Sequence, residues 1–229
     1  PPIKIGLVGY GPHGREIARN LAQLPSAPLV AVADHYGAMQ RRAKREHPKA
    51  ASYDNYQDLL KDKNVEGVVI ATAPHDHKEI AIAALRSGKH VYCESPLGGT
   101  VEDAKAIAKA AAEHPQQNFQ AGLQFRSEPQ RHFMFPFMRA GAIGKAVHAR
   151  TQWHKKTSWR FVSPNTEREK LINWRLDPEL SPGLVGEIGI HQADLVNHLL
   201  KLQPTAVSGF GNTIQWRDGR KVPDTVNIV

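Results

Sequence analysis

The chain has one cysteine, Cys93, which excludes an intrachain disulfide and any CxxC metal pair. Cys93 falls in an expected buried strand, where an inert core thiol is the ordinary state of this residue. Aromatic residues make up only 7% of the 229 residues. No apolar run approaches the roughly 20 residues that a membrane span needs. No basic-then-apolar leader precedes the first expected strand. A removed leader would leave no trace, so the compartment stays open, with the cytoplasm favoured over export. Basic residues outnumber acidic ones for a formal charge of +8. Arg41-Arg42-Ala43-Lys44-Arg45 is the one dense basic run. It lies on an expected surface helix and lacks the aromatic interleaving of a single-strand groove, so a solvated face is the reading and no nucleic-acid partner is expected.

What is present points to an α/β protein. Five short apolar runs, 3–8, 29–33, 65–71, 90–93 and 118–123, are rich in Val, Ile and Ala and apolar on both faces, as parallel strands covered by helices are. Between them lie helical segments at 15–24, 39–46, 56–61, 77–86 and 101–112, the last rich in alanine and lysine with Thr100 as N-cap. This alternation predicts a doubly wound parallel sheet over residues 1–123. Residues 124–229 read as a second α/β domain: a helix around 128–139, a strand over 146–154, a long loop to Gly186, a helix over 187–200, and strands over 205–214 and 224–229 joined by an Asp218-Gly219 turn. Too few strands are present to complete that sheet, so it is expected to be largely open and truncated.

Gly9-Tyr10-Gly11-Pro12-His13-Gly14 is a GxGxxG turn between the first expected strand and helix. Gly9 permits the tight turn, Gly11 lets backbone approach a pyrophosphate, and Gly14 lets the helix lie close on the strand, with its N-terminus facing the anion. Asp34 ends the second strand about 20 residues on, where a carboxylate would bond ribose hydroxyls and repel a 2′-phosphate. NAD is therefore expected, with NADP possible. The loop Thr72-Ala73-Pro74-His75-Asp76-His77 follows the next expected strand, at the carboxyl edge where α/β sheets bind ligands.

The run Gly88-Lys89-His90-Val91-Tyr92-Cys93-Glu94-Ser95-Pro96-Leu97 resembles the GKHVxxEKP signature of the Gfo/Idh/MocA oxidoreductases. The glycine turn, the Thr72–His77 loop and the Gly186–Asp194 segment occur in that family's order. Asn173-Trp174-Arg175, Ser181-Pro182-Gly183-Leu184 and Gly186-Glu187-Ile188-Gly189-Ile190-His191-Gln192 are similar to one branch of it. The resemblance implies an enzyme moving hydride between nicotinamide and a secondary alcohol of a sugar, glycoside or cyclitol, working as a homo-oligomer. It also admits an NAD-dependent glycosidase acting through transient oxidation, and a non-catalytic nucleotide-binding member. It places Thr72, Ala73, Pro74 and His77 at the nicotinamide pocket, where only His77 falls at the family's usual histidine, so no metal site is expected. Pro12, His13, Glu94, Ser95 and Gln124 join the cofactor set.

The family's catalytic elements are the lysine of that signature and an Asp-x-x-x-His pair. Glu187 and His191 stand at the positions of that pair, and four residues along a helix share a face. His191 suits a general base, since an imidazole titrates near neutrality; Glu187 would orient or support it. Ser95 stands in the lysine's place. Its hydroxyl carries no positive charge, so hydrogen bonding to the nicotinamide ribose or the substrate oxygen is its best role. Three readings remain open: His191 serves alone as acid and base, Lys155 or Lys156 substitutes, or hydride transfer is impaired and the protein has another task. Arg126, Trp153, His154, Lys155, Arg160, Trp174 and Arg175 are candidate substrate contacts, aromatic faces and polar donors suited to a sugar.

Overall fold

A computed structural model describes residues 1–229. The chain divides into two compact units, Pro1–Gly122 and Leu123–Val229. No helix is long and apolar enough to cross a membrane.

The first unit is a six-stranded parallel sheet of order β3-β2-β1-β4-β5-β6. Its strands are β1 (Ile5–Val8), β2 (Leu29–Ala33), β3 (Ala51–Tyr53), β4 (Gly67–Ile70), β5 (His90–Glu94) and β6 (Phe119–Gly122). Its helices are α1 (Pro12–Leu21), α2 (Gly37–Glu46), α3 (Tyr56–Lys61), α4 (Pro74–Arg86) and α5 (Val101–Glu113). The 3-2-1-4-5-6 order is that of a dinucleotide-binding doubly wound sheet. Successive strand residues serve opposite faces. Val8, Ile70 and Cys93 pack with Leu59, Ile80, Leu85 and Ile107 on one side. Leu7, Val32 and Val69 pack with Tyr10, Ala18 and Ala43 on the other. Each such fully buried aliphatic chain contributes about 1.5–3 kcal/mol. Burial also pushes the Cys93 thiol up to about 12, with Glu94 adding to the shift, so the thiol stays unreactive.

Local chemistry sets the helix starts. Thr100 Oγ1 accepts the Asp103 N–H at 3.1 Å to cap α5, and Asn55 Oδ1 accepts the Asp58 N–H at 2.8 Å to cap α3. Pro12 and Pro74 open α1 and α4, where a missing N–H costs nothing. Both helices therefore begin three residues earlier than the apolar periodicity predicts. Strand β3 has no apolar run behind it; it forms because β2 offers a free edge.

The second unit holds α6 (Pro129–Arg139), α7 (Thr166–Ile172), α8 (Ile190–Leu200) and one antiparallel pair, β7 (Gly209–Asn212) and β8 (Thr225–Ile228). The strand expected over 146–154 is absent. Residues 146–157 form no ladder and are exposed: β7 and β8 pair with each other and make up the whole second sheet, so this segment has no neighbour to bond. The expected helix over 187–200 begins as a π-helical turn, Val185–Gly189, before α8. The β7–β8 connection is longer than a tight hairpin turn and spans 213–224, with Gly219 at φ +79° inside it. Asp224 closes it, accepting the N–H groups of Ile214, Gln215 and Trp216 at 2.9, 2.9 and 2.7 Å.

A polar network pins the segment before α7. Asn173 bonds the N–H and C=O of Phe161, each at 2.8 Å. Arg160 donates to Asp218 O at 2.9 Å and Glu169 Oε1 at 2.6 Å. Arg220 holds Asp218 through Oδ1 at 2.9 Å and Oδ2 at 2.7 Å.

Two outcomes follow. A methyl carbon at Gly14 would lie 2.0 Å from the Gly9 carbonyl oxygen, so Gly14→Ala is expected to destabilise the first unit by about 3 kcal/mol or more. At Gly11 the added carbon meets nothing within 4 Å, so Gly11→Ala should stay within about 1 kcal/mol of the parent. Urea denaturation followed by circular dichroism checks the pair, and equal midpoints would contradict the close packing. The second outcome concerns acid. Burial raises the Asp224 carboxyl, but the amides of Ile214, Trp216 and Gln215 and the Thr225 hydroxyl more than offset it and hold it at about 2. The folded value lies below the unfolded one, so its stabilisation is present above about pH 4 and lost as pH falls to about 2. Asp224→Asn should lower the thermal midpoint of the second unit at neutral pH and flatten its decline across that acid window.

Candidate functional site

The first unit gathers the expected nucleotide residues at the carboxyl ends of β1, β2, β4 and β5. Gly9 adopts φ +93°, and a side chain there would lie 2.9 Å from the Ala71 carbonyl. Gly11, Pro12, His13 and Gly14 form the N-terminus of α1, where the first-turn amides lack intrahelical partners and suit an anion. The empty space at Gly11 is what close approach of a pyrophosphate needs.

Asp34 closes the adjacent side. Its Oδ2 accepts the Tyr10 N–H at 2.7 Å and its Oδ1 accepts the Tyr36 N–H at 2.8 Å. The carboxylate thus ties the glycine turn to the β2–α2 loop. A carboxylate accepts about four hydrogen bonds, so capacity for a ribose diol remains.

His77 corrects one expectation. The ring is 1% exposed, with Nδ1 3.0 Å from Pro96 O and Nε2 3.1 Å from Thr72 O. Burial lowers its proton affinity, against the raising effect of the two carbonyls. With both nitrogens on backbone oxygens, the side chain is a clamp between the β4–α4 and β5–α5 loops rather than a direct ligand contact. The clamp sets two hydroxyls: Thr72 Oγ1 and Ser95 Oγ are buried and have no hydrogen-bond partner in the chain. Such groups are costly unless a ligand completes them. Ala73 and Pro74 start α4 between them in sequence. His13 Nε2 lies 3.3 Å from Glu94 Oε2, linking two further members of the predicted set across the glycine turn and β5.

Lys89, in the Gly88–Leu97 signature, is a residue whose role the motif alone did not reveal. Its buried ammonium donates to Asp62 O at 2.9 Å and Val65 O at 2.5 Å, fastening the α3–β4 loop.

In the second unit the turn Trp174–Leu176 and the π-turn bring three expected residues together. Arg175 donates from Nε to Glu187 Oε2 at 3.0 Å, and its guanidinium lies 4.2 Å from the centre of the Trp174 ring. The Glu187 side chain is 6% exposed, and its Oε1 is buried without a hydrogen-bond partner. Burial raises the carboxyl above its ordinary value; Arg175 opposes that rise. π-Helical turns inside α-helices concentrate at functional sites. His191 opens the following α-helix, its ring edge-on to Phe125 at 5.5 Å.

Other expected substrate residues are occupied or stand apart. The Arg126 guanidinium is engaged by Asp194, with Nε 2.9 Å from Oδ2. That pair ties the turn Gln124–Ser127 to α8. Arg160 belongs to the network described above, so two of its nitrogens are already committed. Trp153, His154 and Lys155 are exposed, as is Gln124 of the expected cofactor set; Trp153 and Lys155 lie in the irregular 146–157 segment. Asp194 and Phe125 were missed as site supports. Asp194 lay three residues beyond His191 in a motif already noted, where its sequence spacing does not reveal a partner 68 residues away.

Residues 3–122 match the Gfo/Idh/MocA oxidoreductase family, NAD-binding Rossmann fold, and residues 137–229 match the Gfo/Idh/MocA C-terminal domain. The chain is 31% identical over 175 residues to inositol 2-dehydrogenase of Salmonella typhimurium, covering 75% of this chain and 52% of that protein. It is 28% identical over 207 residues to levoglucosan dehydrogenase of Pseudarthrobacter phenanthrenivorans, covering 86% and 51%. A solved NAD-binding protein from Listeria innocua superimposes with a TM-score of 0.82 at 25% identity, over 100% of this chain and 63% of that one. The chain thus spans about half the length of the curated relatives it matches. Glycine turn, strand order and both matched regions agree: the chain belongs to the Gfo/Idh/MocA oxidoreductase family, and its first unit is that family's NAD-binding Rossmann domain.

Proposed function

We propose that the full-length protein transfers hydride between a secondary alcohol of a sugar, glycoside or cyclitol and nicotinamide C4. The observation that carries this reading is the pair of buried, unbonded hydroxyls, Thr72 and Ser95, set by the His77 clamp beside the glycine turn. They fit a bound dinucleotide, whose ribose or carboxamide would complete them. The relatives' names supply the substrate class: an inositol and an anhydrosugar. NAD rather than NADP follows from the Asp34 carboxylate, which would repel a 2′-phosphate.

Bound NAD supplies the hydride acceptor. The chain's own residues then have defined tasks. Asp34 and the N-terminus of α1 hold the adenosine and pyrophosphate portions. Ser95 donates a hydrogen bond and moves no proton. In alcohol oxidation the C–H electron pair leaves as hydride, the O–H bond breaks, and the proton forms an N–H bond on His191. Trp174, through its ring face, and Arg175, through the terminal nitrogens that Glu187 leaves unused, contact the polyol. A homo-oligomer belongs to the same reading, supported by the exposed Phe133 and Phe137 side chains of α6. Ser95 favours one rival, a nucleotide-binding member without turnover.

The test is reduced-nicotinamide absorbance with a panel of cyclitols, aldoses and glycosides, with product analysis in parallel. An oxidised sugar formed with reduced cofactor is the expected result. His191→Ala should lower kcat about a hundredfold or more, and Ser95→Lys should raise it. Glycoside cleavage without net reduction would replace the dehydrogenase reading by the glycosidase one. Bound nucleotide with no chemistry, unchanged by Ser95→Lys, would favour the binding protein.

A further inference from the structure

His13 and Glu94 join the two signature segments of the first unit, and the proposed hydride transfer gives their contact no task. Nε2 of His13 lies 3.3 Å from Glu94 Oε2, and Nδ1 lies 3.9 Å from Glu16 Oε2. In the sheet order β4 separates β1 from β5. A bridge from the second residue of α1 to the last residue of β5 therefore reaches across the carboxyl end of β4. That edge adjoins the switch point between β1 and β4, where doubly wound sheets of this order bind dinucleotides. Glu94 is also held from the side of β6. A side chain at Gly122 would lie 3.0 Å from both Glu94 Oε2 and Tyr92 Oη, so the bare glycine makes room for the two polar groups. Burial and then the Glu94 charge raise the Tyr92 hydroxyl above its ordinary value, so it stays a neutral donor to the carboxylate. Ser95 adds no charge, and Lys89 is bonded to Asp62 O and Val65 O. Positive charge reaches Glu94 from the glycine turn, through an imidazole, the side chain that ordinarily titrates near neutral pH.

We propose that His13 is a titrating cofactor contact, whose imidazolium, set against Glu94, matches the charge of the dinucleotide's pyrophosphate and makes NAD affinity depend on pH. The inference rests on dinucleotide binding at the glycine turn and deepens that reading by naming a group that tunes it. Backbone donors at this end of α1 are few: Pro12 has no N–H, and the Arg15 N–H is bonded to Gly11 O at 3.0 Å. Two phosphate charges brought beside Glu94 and Glu16 are repelled unless a cation stands among them. The sign follows from charge. Protonated His13 attracts the pyrophosphate and the neutral ring does not, so binding takes up a proton and affinity falls as pH rises. Glu94, with Tyr92 behind it, faces the ring from β5, and Glu16 and Arg15 flank it on its own helix. The two carboxylates favour the cation. The ring is half exposed, so solvent and salt keep its effect modest.

Isothermal titration calorimetry of the nucleotide-free, full-length protein with NAD measures this without turnover. Affinity should fall about fivefold between about pH 6 and 8.5 at low salt, and less at high salt. Buffers of different ionisation enthalpy should reveal the proton taken up. ADP-ribose, which keeps the pyrophosphate and lacks nicotinamide, should show the same slope. His13→Gln should bind NAD about fivefold more weakly at about pH 6 and lose the slope. In nuclear magnetic resonance spectra, the titration of the His13 ring should move to lower pH in Glu94→Gln. A pH-independent affinity in the parent, or a slope that His13→Gln retains, would overturn the charge role and leave the cofactor reading intact. A His13 titration unmoved in Glu94→Gln would overturn the pairing. Absence of NAD binding at every pH would overturn the cofactor reading and the inference together.

Discussion

The first unit depends on one close approach, the contact between the start of α1 and the end of β1. With Gly14 against the Gly9 carbonyl and Gly9 against the Ala71 backbone, no side chain fits at either position. That exclusion lets the helix N-terminus lie at the strand end. The rest of the site is assembled on this turn. Asp34 reaches the Tyr10 amide because the turn is tight, and the open space at Gly11 exists because Gly9 and Gly14 have taken up the crowding.

The same unit shows how signature residues divide between holding and reacting. Lys89 and His77 both lie in motifs that mark a cofactor site, yet both use their polar atoms on backbone carbonyls. A neutral imidazole has one N–H, whereas His77 faces two acceptors. Burial still lowers its proton affinity, so the buried ring makes one good hydrogen bond and tolerates one poorer contact. What this arrangement secures is the spacing of two loops. Thr72 and Ser95, on those loops, are left with unbonded hydroxyls. His77 and Lys89 are satisfied within the chain, whereas Thr72 and Ser95 are left incomplete.

Legibility of the sequence followed the same physical division. Strands apolar on both faces were readable because parallel strands need nothing else, and the Thr100 cap announced α5. Strand β3 was invisible: Ala51-Ser52-Tyr53 has no apolar pattern, and its existence depends on the edge of β2. The opposite error occurred at 146–154, which reads as a strand in the sequence but joins neither β7 nor β8. Site residues divided by the range of their contacts. Glycines and Asp34 act through local backbone geometry and were readable by spacing. Arg126 and Arg160 looked like free donors because their partners, Asp194 and Asp218, lie 68 and 58 residues away. The π-turn had no signal in the Glu187-to-His191 spacing, which fits either helical form.

Glu187 and Ser95 bring these strands of reasoning together. A buried hydroxyl without a partner carries a desolvation cost, but a smaller one than a charged group would. The charge of a buried carboxylate must be matched or removed. Arg175 matches it on one oxygen and leaves the other bare. The guanidinium also lies 4.2 Å from the centre of the Trp174 ring, a cation–π contact. Incompleteness at Ser95 is that of a neutral group; incompleteness at Glu187 is that of a charged one, matched by Arg175 on one oxygen.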